Sequence, residues 1–151
     1  MKLKLSGSEE IDVSAEFLWN TIIDPKILKE CIPGCNKMIE VAHGEYDIVL
    51  NLKVGAVGGS FNGKVKLSDQ NPPLSCNLYL SGGGTLGTGK GFAKIIIDEK
   101  VKGTSIMSYD GEGEVGGLVA GVGQRVLTGV SKHLVKKFFT SFKIKLSKNN
   151  S

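Results

Sequence analysis

Residues 119–142, VAGVGQRVLTGVSKHLVKKFFTSF, predict one long α-helix near the end of the chain. Their apolar side chains recur every three or four residues, the spacing that aligns them on one helix face. The members of this stripe are Val119, Val122, Val126, Val130, Leu134, Phe138 and Phe142. Such a face has to be buried, so we expect an unpaired carboxylate at Val126 or Leu134 to destabilise the fold.

The positive charge of the protein is concentrated in the same region. Residues 116–151 contain seven Lys or Arg residues and no acidic residue, whereas residues 1–115 have a net charge of −3. This distribution does not predict nucleic-acid binding, which needs base-stacking aromatic residues or a known motif as well as a basic face. The lysines are either a solvated helix face or a docking surface, formed by Lys132, Lys136 and Lys137, for an anionic membrane or a partner.

The residues before this helix have the pattern of an antiparallel sheet. Alternation of apolar and polar side chains predicts a first strand at Lys2–Ile11 and six more strands between residues 36 and 115. These six strands are Met38–Ala42, Tyr46–Val57, Phe61–Leu67, Leu74–Ser81, Phe92–Glu99 and Thr104–Val115. Turns are expected at residues 43–45, 71–73 and 82–89, which contain Gly, Pro or Asn, and the Gly58-Gly59 pair predicts a tight turn or a bulge.

Two short helices are predicted between the first strand and the rest of the sheet. Ser14 is a suitable N-cap for a helix from Ala15 to Ile23, and Asp24 followed by Pro25 starts a second helix. The second helix ends in the turn of residues 31–35, Cys-Ile-Pro-Gly-Cys, because proline stops a helix and glycine permits the reversal.

These elements predict a single α+β domain over residues 1–148, with a frayed end at residues 149–151. The expected architecture is the helix-grip fold, a curved antiparallel sheet of about seven strands wrapped around the C-terminal helix. We expect a hydrophobic cavity between sheet and helix. Its predicted lining is Ile48, Leu50, Leu52, Phe61, Val65, Leu78, Leu80, Met107, Tyr109, Val119, Val122, Val126, Val130 and Leu134.

Four glycines fall in the first half of the predicted helix, where each costs about 1 kcal/mol relative to alanine. One interpretation is that they allow close packing of the helix on the sheet. The other is that Gly117, Gly121 and Gly123, with Gly129 further on, form a yielding portal for a ligand.

Composition indicates a cytoplasmic protein. The sequence contains no run of about 18 apolar residues that would cross a membrane, and its N-terminus lacks the apolar core of a signal peptide. The three cysteines, Cys31, Cys35 and Cys76, suit a reducing compartment better than a disulfide framework.

A glycine-rich segment, residues 82–87, fits the dinucleotide motif G-x-G-x-x-G, and residues 84–90 nearly fit a phosphate-binding P-loop. Both motifs require a helix after the loop, whereas residues 92–97 are rich in β-formers. We therefore predict a hairpin and no nucleotide site.

Other reactive side chains are given structural interpretations. The pair Cys31 and Cys35 lacks the second close pair that is typical of zinc sites, so no metal is expected. His43 and His133 are predicted to be exposed. The carboxylates of Asp110, Glu112 and Glu114 alternate along one strand and are interpreted as a solvated face rather than an acid–base pair.

Three segments together resemble the CoxG family of carbon monoxide dehydrogenase subunits, which belongs to the START-like helix-grip superfamily. The first runs from Trp19 through DPKILKECIPGC at residues 24–35, and the second is FNGKVKLSDQNPP at residues 61–73. The third joins the Gly-Gly-Leu of residues 116–118 to GQRVL at residues 123–127 and to Phe138-Phe139. The resemblance covers nearly the whole domain.

The resemblance implies a non-enzymatic protein that holds a hydrophobic molecule, with no catalytic residue and no cofactor. Family members accompany molybdenum-containing carbon monoxide dehydrogenases and related hydroxylases, and some resemble quinone carriers. Many have a C-terminal membrane anchor. Because the sequence up to Ser151 contains no such segment, we expect at most peripheral contact with the inner membrane face.

The sequence thus predicts a carrier for an isoprenoid quinone or a lipid-like molecule, accessory to a molybdenum hydroxylase. One alternative is an enzyme of the same fold, such as a cyclase or hydrolase, which needs converging polar groups inside the cavity. The other is an assembly factor that binds a partner enzyme without a ligand.

Overall fold

The computed structural model describes residues 1–54, 57–85 and 87–149. A strand and two short helices come first, and a series of strands and a long helix follow. In chain order the elements are β1 Lys2–Ile11, α1 Ala15–Ile22, α2 Pro25–Cys31, β2 Cys35–Ala42, β3 Glu45–Val54, β4 Val57–Asn71, β5 Ser75–Gly84, β6 Gly87–Val101, β7 Thr104–Gly116, a 3₁₀ turn Leu118–Val122 and α3 Gln124–Asn149. Of the predicted frayed end, Asn149 is the last residue of α3, and residues 150 and 151 lie outside the described residues.

The strands form one antiparallel sheet in the order β1-β7-β6-β5-β4-β3-β2. Strands β2 to β7 are a simple meander, and β1 adds to its far edge by pairing with β7. With one face of the sheet turned toward α3, this is the helix-grip arrangement, and the predicted fold class is confirmed.

The predicted caps of both short helices are present. The Ser14 hydroxyl accepts a hydrogen bond from the amide of Phe17 at 3.2 Å, which satisfies one free amide of the first turn of α1. The Asp24 carboxylate accepts from the amide of Lys26 at 2.9 Å, and Pro25 occupies the first position of α2. These local interactions fix where the two helices begin.

One of the two glycine-rich turns lies where it was predicted. Strand β5 ends at Gly84 and β6 begins at Gly87, so a strand follows the glycine motif and the predicted hairpin is confirmed; Leu86 lies outside the described residues. The tight turn or bulge predicted at Gly58-Gly59 is wrong, because both glycines pair in continuous register with β3 inside β4. The sheet reverses before this pair, and residues 55 and 56 are outside the described residues. Glycine in extended backbone pairs like any other residue, so its presence alone did not locate the turn.

The long helix begins later than predicted. Gly117 and Gly123 have φ angles of +84° and +96°, which a right-handed helix cannot include. The residues between them form a separate 3₁₀ turn, and α3 starts at Gln124. Of the four glycines assigned to the helix, only Gly129 lies inside it.

The buried face of α3 is also rotated from the predicted stripe. Its fully buried side chains are Leu127, Phe139, Phe142 and Leu146. Val126, which was predicted to face inward, is 48% exposed. The apolar residues of this helix occur as neighbouring pairs, such as Val126-Leu127 and Phe138-Phe139, and spacing alone does not determine which member of each pair is buried.

This rotation reverses the expectation for a carboxylate at Val126. Leu127→Asp should destabilise the protein by several kcal/mol, because an unpaired carboxylate would replace a side chain that is 5% exposed. Val126→Asp is the matched control and should change the melting temperature little. Thermal melts of both variants test the assignment, and equal destabilisation would show that the helix is not oriented as described.

The main core lies where the last turns of α3 cross the sheet and α1. Phe142 and Leu146 of α3 pack there with Leu18 of α1 and Ile97 of β6, all at most 1% exposed. The fully buried Ser105 hydroxyl donates to the carbonyl oxygen of Val13 at 2.8 Å, which removes the cost of burying it. The C-terminal half of α3 is therefore held by the main core, whereas its first turns pack in a smaller cluster with Val119 and Leu3.

Candidate ligand-binding site

The strand register brings the predicted cavity residues onto one face of the sheet. Cross-strand partners point to the same side, and a continuous row runs across six strands through Leu3, Gly113, Gly91, Leu80, Val65 and Tyr46. A neighbouring row pairs Leu78 with Leu67 on one side and Ala93 on the other. We call this surface, which faces α3, the inner face.

The apolar side chains of the inner face gather in clusters rather than in one even layer. These clusters form around Phe142, around Tyr46 with Ile48, and around Val119 with Leu127, and the first two are joined because Leu67 and Leu78 pack against both. In the row between them Gly91 and Gly113 have no side chain, and Leu80 remains 42% exposed although it points toward the helix side. The region bounded by the three clusters, which we call the sheet–helix space, is the candidate ligand site.

The predicted lining residues fall into three groups by exposure. Buried residues are Ile48, Val65, Met107 and Val119. Partly buried residues are Leu50, Leu52, Phe61, Leu78, Tyr109, Val130 and Leu134. Exposed residues are Leu80, Val122 and Val126. Leu52, Phe61 and Leu134 belong to none of the three clusters.

Of the three predicted portal glycines, Gly117 and Gly123 flank the 3₁₀ turn and Gly121 lies within it, so none belongs to α3. A β-carbon added to Gly121 or Gly123 would meet no atom within 4 Å. Close packing on the sheet therefore does not explain these two glycines, and the backbone at the start of α3 is open on that side.

Tyr109, a predicted lining residue, brings a polar group to the inner face, and Glu9 brings another that the sequence analysis did not assign. The Tyr109 ring stacks on Phe139 at 5.8 Å, and its hydroxyl lies over Gly7, within 2.5 Å of where a β-carbon would be. Burial raises the pKa of Tyr109, and the nearby Glu9 carboxylate raises it further, so the hydroxyl stays protonated at neutral pH. Among the described residues this hydroxyl has no hydrogen-bond partner.

Glu9 itself forms an ion pair with α3. Its carboxylate accepts a hydrogen bond from the Lys143 ammonium group at 3.1 Å, which joins β1 to α3. Glu9 lies an even number of residues from Leu3 and Leu5 on β1, so all three share one strand face. The inward position of Glu9 could therefore have been predicted from the sequence.

A groove of about 740 Å³ lies between the α2–β2 turn and α3, and we call it the α2–α3 groove. Lys26, Lys29 and Lys137 border it, together with Ile32 and Pro33 of the turn. It was not predicted from the sequence, because α2 and α3 are about a hundred residues apart in the chain. The other two proposed docking lysines, Lys132 and Lys136, are exposed on α3.

The three cysteines have protonated thiols. Burial raises the pKa of Cys31 and Cys35, and it raises the pKa of Cys76 to about 11. In the described ranges no three His, Cys, Asp or Glu side chains approach closely enough to hold a metal ion. His43 and His133 are exposed, as predicted.

The outer face of the sheet carries acidic and basic side chains, and their charges largely balance. Asp110, Glu112 and Glu114 are exposed there, as predicted. A shallow groove of about 630 Å³ crosses this face between rows of alternating charge, with ion pairs at Lys64–Asp47 (3.1 Å) and Lys90–Glu114 (3.8 Å). Its balanced charges are those of a solvated sheet face.

Comparison with known proteins identifies the family. A family model for the carbon monoxide dehydrogenase CoxG subunit matches residues 7–147, almost the whole chain. The chain belongs to the CoxG family. The resemblance noted from the sequence is thereby confirmed, and the match leaves out only residues 1–6 and 148–151.

Solved structures share the fold of this CoxG-family chain. A conserved protein from Geobacillus kaustophilus is 31% identical, with 97% of this chain and 96% of that chain covered and a TM-score of 0.94. A START superfamily protein from Mycobacterium smegmatis is 12% identical, with 96% and 97% covered and a TM-score of 0.74. An aromatase/cyclase from Streptomyces sp. R1128 is 10% identical, with 100% and 97% covered and a TM-score of 0.73. The last two establish a common fold only.

Two further results concern curated relatives and membrane-spanning helices. Among curated proteins, no relative matches this chain. Within the described residues, no helix is both long enough and apolar enough to cross a membrane.

Proposed function

We propose that this CoxG-family protein binds and carries a hydrophobic small molecule in the sheet–helix space, and that an isoprenoid quinone is the first candidate. Membership of the CoxG family and the START-like fold support a ligand-binding or carrier-like role. The observation that supports this particular site is Leu80, which is 42% exposed at the centre of the inner row beside the bare backbone of Gly91.

Binding at this site would rest on burial of apolar surface. Each Å² removed from water contributes roughly 25 cal/mol, so about 200 Å² of isoprenoid chain contributes on the order of 5 kcal/mol. The half-buried Leu52, Phe61 and Leu134 supply the apolar contacts. The protonated Tyr109 hydroxyl supplies a donor for a carbonyl oxygen of the ligand head group.

Native mass spectrometry of freshly purified protein tests the proposal. We expect a second species whose mass exceeds that of the chain by one lipid-like molecule, and organic extraction should release that molecule for identification. Protein that is free of ligand and that also fails to bind a short-chain quinone in calorimetric titrations would contradict the carrier function.

Removal of the Tyr109 hydroxyl should weaken quinone binding without unfolding the protein. A neutral hydrogen bond contributes about 0.5–1.5 kcal/mol, so Tyr109→Phe should raise the Kd roughly threefold to tenfold. Affinity for an apolar analogue that lacks the carbonyl oxygens should not change. Tyr79→Phe on the outer face is the matched control and should bind like the unaltered protein. A Tyr109→Phe variant with unchanged quinone affinity would exclude this hydrogen bond.

The exposed lysines of α3 are proposed to bring the protein to an anionic membrane, where quinone is stored. Attraction of about 1 kcal/mol per lysine should give co-sedimentation with anionic vesicles at low salt and its loss near 1 M salt, where the Debye length is about 3 Å. Changing Lys132, Lys136 and Lys137 to Gln should abolish co-sedimentation. Changing Lys53, Lys66 and Lys94 of the sheet to Gln removes the same amount of charge but should leave co-sedimentation intact. Equal loss of co-sedimentation in both variants would argue against a specific docking face.

Association with a molybdenum-containing carbon monoxide dehydrogenase or a related hydroxylase is proposed from the family description. Affinity purification from cells that express both proteins measures it. We expect the enzyme to accept or donate electrons faster with quinone-loaded protein than with quinone alone.

An enzyme of the same fold is the second candidate, because Glu9, Tyr109 and Lys143 bring charged and phenolic groups to the inner face. The aromatase/cyclase among the structural neighbours shows that the fold accommodates such chemistry in another protein. Chemical conversion of the extracted ligand by the purified protein, lost in Tyr109→Phe, would favour this alternative over the carrier.

A further inference from the structure

The α2–α3 groove has the features of an anion site that is separate from the sheet–helix space. We propose that it binds the phosphate group of a phosphorylated small molecule or of a phospholipid. The inference does not depend on the hydrophobic ligand, because other residues line this groove.

Charge is the first argument. Lys26 and Lys29 of α2 and Lys137 of α3 border the groove from both sides, and none of them forms a salt bridge with a described carboxylate. The one carboxylate of the groove, Glu30, pairs directly with Lys145. Because that hydrogen bond and charge lower the pKa of Glu30, its negative charge is present but compensated.

The net charge of the groove side chains therefore favours an anion. Lys26, Lys29 and Lys137 supply three positive charges outside the Glu30–Lys145 pair, and these match a phosphate monoester, which carries about −1.5 to −2 charges at neutral pH. Lysine binds phosphate as a point charge, so convergence from two helices does not need the planar geometry of arginine.

Uncharged donors are the second argument. The hydroxyl of Ser141 borders the groove one turn along α3 from Lys137, and it has no hydrogen-bond partner among the described residues. Asn36 of β2 also lines the groove, and its side chain carries an amide. A phosphate has several acceptor oxygens, and these two groups extend the donor set beyond the ammonium groups.

The size of the groove is the third argument. Its volume of about 740 Å³ falls in the range of pockets that hold drug-sized ligands. This volume is larger than a bare ion requires. Ile32 and Pro33 supply an apolar wall beside the lysines. A ligand with a phosphate and an adjoining organic part fits this combination better than inorganic phosphate does.

The walls of the groove are held in place. The carbonyl oxygen of Gly34 accepts a hydrogen bond from the amide of Asn51 at 2.8 Å, which joins the turn to β3. A β-carbon at Gly34 would lie 2.0 Å from the carbonyl oxygen of Asn51, so this contact requires glycine. The Glu30–Lys145 pair joins α2 to α3, so the two walls that carry the lysines are in direct contact.

Calorimetric titrations with two probes test the inference. Glycerol 1-phosphate represents a soluble source, and monomeric dihexanoyl phosphatidic acid represents a lipid source. We expect saturable binding of at least one probe and at least a tenfold rise in Kd when Lys26, Lys29 and Lys137 are changed to Gln. The control variant with Lys53, Lys66 and Lys94 changed to Gln should keep its Kd within twofold.

Each outcome has a defined meaning. Binding of both probes indicates that the phosphate alone is recognised, and binding of the phosphatidic acid only identifies a lipid source; both results support the site. Absence of binding by either probe overturns the proposal. Equal weakening in the two triple variants also overturns it, because it would show attraction to net charge rather than to this groove. Unchanged melting temperatures establish that both variants are folded.

Discussion

Phe142→Ala should reduce the free energy of unfolding by about 3–5 kcal/mol, the usual cost of removing a buried aromatic side chain from a core. Phe142 is 0% exposed and stacks on Phe138 at 5.4 Å, in the cluster that joins α3 to α1 and the sheet. Its loss would leave a cavity where the C-terminal half of the helix is held.

Chemical denaturation with equilibrium analysis measures this effect. Ile144→Ala is the control on the same helix, and it should change stability by less than about 1 kcal/mol because Ile144 is 51% exposed. If both variants were equally destabilised, the position of α3 on the sheet would differ from the one described.

Gly91→Leu should abolish or strongly weaken binding of the hydrophobic ligand while leaving the protein folded. Gly91 lies in the inner row between Leu80 and Gly113, where a new side chain would project into the sheet–helix space. An added β-carbon would be 3.5 Å from the carbonyl oxygen of Glu112, an ordinary contact, so the sheet can accept it. Leucine also suits a strand better than glycine does.

Titration with a short-chain quinone measures the expected rise in Kd, which should be roughly tenfold or more because a filled space must be vacated before the ligand enters. Lys94→Leu, on the outer face of the same strand, adds a similar side chain and should have no effect on the Kd. Unchanged binding by Gly91→Leu would place the ligand elsewhere, even if the protein carries one.

Phe142→Ala tests the packed end of α3, and Gly91→Leu tests the exposed row of the inner face. The C-terminal half of α3 packs around Phe142, whose side chain is 0% exposed, and this anchors the helix. Toward its N-terminal end α3 contacts the sheet near Leu3 and Val115, whereas Leu80 of the inner row stays 42% exposed. The two packed ends of α3 are therefore compatible with the ligand site proposed around Leu80.

Much of the fold was predictable because the relevant signals are local. The alternation of Leu50, Leu52 and their neighbours assigned the inner face correctly, since successive side chains of a strand must point to opposite sides. Ser14 and Asp24 located the starts of α1 and α2, since a cap needs only its own first turn. The glycine motif at residues 82–87 was recognised as a hairpin from the β-formers that follow it.

The remaining features depend on contacts between distant parts of the chain. The sequence by itself determined that α3 is amphipathic, but the choice of Leu127 over Val126 for burial came from the break at Gly123 and from the packing of Phe139 and Phe142. The pairing of Glu9 with Lys143 and the α2–α3 groove join residues that are more than a hundred positions apart. Local patterns determine which way a side chain faces along its own element, whereas only the assembled tertiary structure decides which faces meet and which space stays unfilled.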